Sequence, residues 1–217
     1  MNTDQARFNM IEQQIRPWNV LRAEVLQTLA DVPREAFVPA HLLSLAFSDP
    51  SIPLGHGASM MEPRMEARLV HDLNLQGHER VLEIGTGSGY SAALLSRHAK
   101  EVVTVEIQAE LAKAAAERLK AYANVQVVHA DANQTHALSN YGPFDAIVLS
   151  GSVDLLPEAL LALLKPEGRL LAICGEDPIM HATLVQTHAD GSATRQQLWD
   201  ANAPRLQNFE LRPAFNF

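Results

Sequence analysis

The chain has 217 residues, room for one domain or one domain with an extension, and 47% of them are apolar, enough for a sizeable core. Its 17 basic against 25 acidic side chains give a net charge of −8, so no basic stripe is available for a nucleic-acid partner. Nor does any stretch approach the roughly 18 uncharged apolar residues of a membrane helix, so neither nucleic acid nor membrane is expected as a partner.

In chain order, residues 4–30 read as helical. Phe8, Met10, Ile11 and Ile15 recur at helical spacing, and Pro17 is expected to stop the run. Val20, Val25, Leu26 and Leu29 form a second amphipathic helix. The proline-bracketed stretch 32–39 reads as a connector, and 51–63 as a loop centred on Gly55-His56-Gly57. Pro63 opens a helix to about Leu75. Strands are expected at 80–84, 101–106, 125–129, 144–149 and 168–174, with helices at 88–98, 108–121 and 157–164. That βαβ alternation predicts a parallel sheet covered on both faces. Residues 182–188 and 193–199 alternate like strands around Asp190-Gly191, which predicts an antiparallel hairpin. The fold class is therefore α/β: a doubly wound, mostly parallel sheet of the seven-stranded type with an antiparallel C-terminal hairpin and an N-terminal helical extension. The expected division is 1–62, extension and loop, and 63–217, one Rossmann-like unit.

The single cysteine, Cys174, excludes an internal disulfide and a cysteine metal cluster; no metal site is expected. It reads as a buried small hydrophobe in a reducing compartment. Residues 1–5 carry no signal-peptide pattern, so the expected location is the cytoplasm.

The most informative stretch is Val81-Leu82-Glu83-Ile84-Gly85-Thr86-Gly87-Ser88-Gly89-Tyr90: a short apolar strand, a glycine-rich turn and a helix start. Open α/β sheets bind nucleotides at such turns. Ser88 is expected to cap the helix. The glycines fall as G-x-G-x-G, and Tyr90 stands where a dinucleotide motif has its third glycine, which argues against a clamped pyrophosphate and a nicotinamide oxidoreductase. Glu83 adds a negative charge suited to an ammonium group. A nucleoside with a cationic amino-acid end, S-adenosylmethionine, satisfies both conditions. Glu106, ending the next strand, can accept from both ribose hydroxyls. Asp131, after the third strand, can accept from an adenine amine, though a plain turn aspartate is an equal reading.

These residues resemble the protein-L-isoaspartate O-methyltransferases among the class I S-adenosylmethionine-dependent methyltransferases, over about Arg7 to Gly175. The block Val81–Tyr90 is shared with many methyltransferases; the connector Val32-Pro33-Arg34-Glu35-Ala36-Phe37-Val38 and the loop Pro53-Leu54-Gly55-His56-Gly57 single out this family. The resemblance implies that Glu83, Gly85, Thr86, Gly87, Ser88 and Gly89 line the methionine end and ribose. It implies that Glu106 with Ile107 holds the ribose, Asp131 with Ala132 the adenine, and that 57–61 lies over the donor methyl. The implied product is S-adenosylhomocysteine and the implied substrate a peptide or protein bearing isoaspartate.

The loop is also where the chain departs. Ser59 replaces a family threonine, and Met61 stands at the position of the family's catalytic serine and offers no useful hydrogen bond. The family's C-terminal arginine-phenylalanine-valine-proline-leucine segment finds its nearest match in Ala203-Pro204-Arg205-Leu206. The candidate catalytic residues are thus Ser59, His56 and the substituted Met61, and Ser59 is also expected among the residues that bind the donor. Two alternatives stand: a diverged methyltransferase with another, unidentified small acceptor, or a non-catalytic donor-binding protein.

Overall fold

The computed structural model describes residues 2–211; the end of the expected 63–217 unit, residues 212–217, lies outside the described residues. The chain opens with α1 (Thr3–Met10), a π-helical stretch Ile11–Ile15, a 3₁₀ turn Arg16–Trp18 and α2 (Ala23–Asp31). Pro17 does not stop the first run; it sits inside the 3₁₀ turn, which ends at Asn19 in the left-handed conformation (φ 61°). Met10, Ile11 and Ile15 are buried, but Phe8 is 58% exposed and does not belong to the inward face.

The expected loop at 51–63 contains a small antiparallel hairpin, β1 (Ile52–Gly55) and β2 (Ala58–Met60). Pro63 then opens α3 (Pro63–Leu73), as its fixed φ favours. The alternating region follows as β3 (Arg80–Ile84), α4 (Tyr90–Ser96), β4 (Glu101–Glu106), α5 (Ala109–Arg118), β5 (Val125–His129), α6 (Thr135–Leu138), β6 (Phe144–Val153), β7 (Leu164–Glu176), β8 (Ile179–Thr187) and β9 (Ala193–Ala201). Strand β6 runs four residues past the expected 149, into the site described below. Glu158–Leu163 is 3₁₀ rather than α-helical. The six residues fit between Pro157 and the start of β7, and Leu160 and Leu163 repeat at the three-residue period that lets one edge be buried.

The seven-stranded sheet has the order β5-β4-β3-β6-β7-β8-β9. The first five strands are parallel and β8 and β9 close the edge antiparallel, turning at Gly191 (φ +82°). Side chains alternate between faces: Val81, Val102, Ala146 and Val148 join the core formed with α3, α4 and the N-terminal helices. Leu82, Ile84, Val103 and Val105 join the opposite core, covered by Leu138 of α6 and by Leu160 and Leu163. Cys174 is half-buried, less enclosed than expected. The extension is tied down by stacked cations and rings: Arg64 lies 4.3 Å from the Trp18 ring, and Trp18 meets Trp199 of β9 edge to face at 6.3 Å. The chain moves outward from β3 to β5 and crosses back to β6 on the other side of β3. The carboxyl ends of β3, β4 and β6 therefore flank a topological switch point, where open α/β sheets place ligands.

Candidate functional site

The glycine turn is held by its neighbours in the sheet. The Gly85 and Thr86 N–H groups both donate to the Val105 carbonyl, at 2.9 and 3.2 Å. Glu106 accepts from the Gly87 N–H at 2.8 Å on one oxygen and from the Gln108 N–H at 3.0 Å on the other. Gly85 has φ +92°, a backbone conformation that L side chains rarely adopt, and a Cβ there would also press on the Leu206 side chain at 2.6 Å. Ser88 does not cap α4 as expected. Gly89 is the N-cap residue, and the Ser88 hydroxyl accepts from the Tyr90 N–H at 3.2 Å. Gly89 serves packing: a side chain there would press on Leu119 beyond α5 at 3.1 Å. Tyr90 is fully buried against Phe37 and Arg34, under the turn rather than in it.

Three cavities meet at this edge of the sheet. A crevice of about 590 Å³ is lined by Gly85, Gly87, Glu106, Ile107, Asp131 and Ala132, together with Ala58 and Ser59. A smaller one of about 220 Å³ lies between Ser59, Met60 and Met61 and the turn Gly85–Ser88. An open groove of about 850 Å³ runs outside, past Ser51, Met61, Glu62, Met65 and Ala203. Ser59 lines all three. Thr86 and Ser88 reach only the small cavity. The His56 ring lines none of the three, although the residue, at φ +54°, accepts a backbone bond from Gln207.

Glu83 stands one layer below the cavities. It is fully buried and accepts from Thr104 at 2.7 Å and from Ser150 at 2.6 Å; Ser150 lines both the crevice and the small cavity. Burial pushes the Glu83 carboxyl up to about 7, against the two hydroxyls that stabilise its ionised form. Glu66 of α3 reaches the small cavity and is also pushed up to about 7, by burial outweighing the adjacent Arg34. Arg34 is fully buried: it pairs with Glu66 and donates to the Ala46 carbonyl at 2.9 Å and to the Met61 carbonyl at 2.6 Å. One guanidinium thus fixes the backbone of the loop at Met61, whose side chain is buried.

The C-terminal segment after β9 closes the crevice. Leu206, Gln207 and Phe209 line it, and Leu206 is clamped to β6 through the Ser152 carbonyl at 2.9 Å. Gln207 donates to the His56 carbonyl at 2.7 Å and accepts from Gln108 at 2.6 Å. Asn208 donates to Asp131 at 2.8 Å, while the other Asp131 oxygen accepts from the Asn133 N–H. Asp131 is therefore both the turn residue and a crevice residue. Ser150, Glu66, the role of Arg34 and residues 207–209 escape a sequence reading, because each acts through partners far along the chain, whereas Pro204, Arg205 and Leu206 of the expected 203–206 match do line the crevice. Only the place of Ser150, at the end of a buried strand, was a signal.

The comparisons with known proteins agree with this geometry. The family described as protein-L-isoaspartate(D-aspartate) O-methyltransferase matches residues 5–201. The protein-L-isoaspartate O-methyltransferase 2 of Shewanella sediminis is 39% identical over 192 residues, 88% of this chain and 78% of that one. The protein-L-isoaspartate O-methyltransferase of Gloeobacter violaceus is 36% identical over 190 residues, 87% of this chain and 92% of that one. A protein-L-isoaspartate O-methyltransferase from Plasmodium falciparum, solved with S-adenosyl-L-homocysteine, has the same fold: TM-score 0.77 at 22% identity, covering 95% of this chain and 99% of that one. No helix among the described residues is long and apolar enough to cross a membrane. With residues 5–201 inside the family pattern, the chain belongs to the protein-L-isoaspartate(D-aspartate) O-methyltransferase family.

Proposed function

We propose that this protein is a methyltransferase that uses S-adenosylmethionine to methylate the free carboxylate of isoaspartyl residues in proteins or peptides. The observation that carries the proposal is the position of Ser59, among the described residues the one common to the nucleoside crevice, the small cavity and the outer groove. The crevice fits the donor: a turn of glycines held at positive φ, a carboxylate at the end of β4 and another after β5. When bound, S-adenosylmethionine supplies a methyl group on a positively charged sulfur and leaves as S-adenosylhomocysteine.

In this reading Glu106 accepts from the ribose hydroxyls beside Ile107, and Asp131 accepts from the adenine amine beside Ala132. The turn Gly85–Ser88 faces the amino-acid end, with Glu83 acting through Ser150. The acceptor enters by the outer groove. Its carboxylate is already ionised at neutral pH, so the site needs no strong base. Ser59 orients it, and Met61 and Met65 exclude water; alignment does the catalytic work. His56 contributes through its backbone. The segment 1–62 serves as cover for one sheet face and supplies the loop, and the half-buried lone Cys174 suits a reducing cytoplasm.

A second reading, a methyltransferase for another acceptor, is favoured by Met61: its thioether side chain presents no hydroxyl at this point of the loop, whose backbone Arg34 fixes. The test is release of S-adenosylhomocysteine on adding an isoaspartyl peptide. Release that an aspartyl control does not elicit supports the first reading. No release from a protein that binds the donor moves the acceptor to the second.

A further inference from the structure

Glu66 is spent on nothing in the reaction described above, yet it lines the small cavity between the loop and the glycine turn, beside the Ser91 that its carboxylate bonds. One oxygen is held by Arg34; the other, among the described residues, accepts the Ser91 hydroxyl at a long 3.3 Å. A carboxylate has about four acceptor sites, so it retains capacity on the cavity side. Arg34, in turn, has its remaining hydrogen bonds committed to the Ala46 and Met61 carbonyls and cannot swing toward a ligand. The opposite wall of the cavity is Gly85, Thr86, Gly87 and Ser88, the turn that faces the amino-acid end of a nucleoside donor. Glu83, the other buried carboxylate nearby, is screened from the cavity by Ser150.

We propose that Glu66 is a donor-binding residue, whose carboxylate accepts a hydrogen bond from the α-ammonium of S-adenosylmethionine, with Arg34 holding it in place. The proposal rests on the methyltransferase reading of the crevice. Burial pushes the Glu66 carboxyl up to about 7, which disfavours its ionised form, and an adjacent cation offsets that burial.

The experiment is calorimetric titration of the full chain and of Glu66→Gln with two ligands: S-adenosylhomocysteine, and 5′-methylthioadenosine, which keeps the nucleoside and sulfur but lacks the amino-acid end. The expected result is a Kd for S-adenosylhomocysteine raised by about tenfold or more, with that for methylthioadenosine changed less than about threefold. Glu66→Asp, which keeps a counter-charge for Arg34, is expected to show the same selective loss and stands in if the amide variant does not fold. Equal weakening of both ligands would reduce Glu66 to a structural partner of Arg34 and overturn the proposal, as would no weakening of either. Failure of the unaltered protein to bind either ligand would overturn the donor reading and this proposal with it.

Discussion

Replacing Glu106 with glutamine changes one atom and no volume, and its effect on donor affinity follows from the lone pairs. The carboxylate has about four acceptor sites. Two are occupied in the structure, by the Gly87 and Gln108 N–H groups, which leaves two for a ribose diol. Glutamine keeps a single acceptor oxygen. Each oxygen already holds one backbone N–H, so the NH₂ must face the Gly87 or the Gln108 N–H, and the ribose hydroxyls lose a charged acceptor, about 1.5–3 kcal/mol. That corresponds to a Kd for S-adenosylhomocysteine raised roughly 10- to 150-fold. Calorimetric titration measures it, with the melting temperature as a check that the turn is intact. An affinity within about threefold of the unaltered protein, with the fold intact, would refute the assignment of Glu106 to the ribose.

Further outcomes follow from the other buried groups. Arg34→Met should cost about 3–5 kcal/mol by leaving Glu66 unpaired, and so lower the melting temperature by roughly 6–20 °C; Arg34→Met/Glu66→Val should recover part of that, and a double variant no better than the single would contradict it. Glu83 is raised to about 7 from its ordinary 4.5, so the folded state holds its proton more tightly than the unfolded one. Its contribution to stability is complete below about 4.5 and is lost as pH rises through about 7. Glu83→Gln should therefore gain on the unaltered protein as pH increases across that window, by up to about 1.4 kcal/mol per unit, and a pH-independent difference in unfolding free energy would rule this out. Ser59→Ala should lower the methyl-transfer rate roughly 10- to 100-fold by removing one orienting hydrogen bond, while S-adenosylhomocysteine affinity stays within about threefold; an unchanged rate would move the orienting role elsewhere.

What could be read from the sequence was what local pattern controls. The apolar run before Gly85, the glycines with positive φ and the Asp190-Gly191 turn each produce their structure within a few residues, and β3, the glycine turn and the terminal hairpin stand where expected. Glu106 and Asp131 could be placed because strand ends in a parallel sheet converge on the switch point whatever their neighbours are. The hairpin β1–β2 was hidden by Pro53 and by its brevity, since three or four residues show no period. The 3₁₀ segment at 158–163 carries the same apolar spacing that a short α-helix would. Glu83 was read as lining the methionine end because its place before the turn is visible, whereas the Ser150 hydroxyl that covers it comes from 67 positions away. Glu66 carries no local signal that sets it apart from other helix carboxylates, and only tertiary packing against Arg34 turns it inward.

The central claim is methyl transfer to an isoaspartyl carboxylate, and the most direct measurement is of where the methyl goes. The protein is incubated with methyl-labelled S-adenosylmethionine and an isoaspartyl peptide, beside the same peptide with normal aspartate. Base-labile label, released as methanol, is predicted on the isoaspartyl peptide alone. Absence of label from both peptides, in a protein that binds S-adenosylhomocysteine, would contradict the claim.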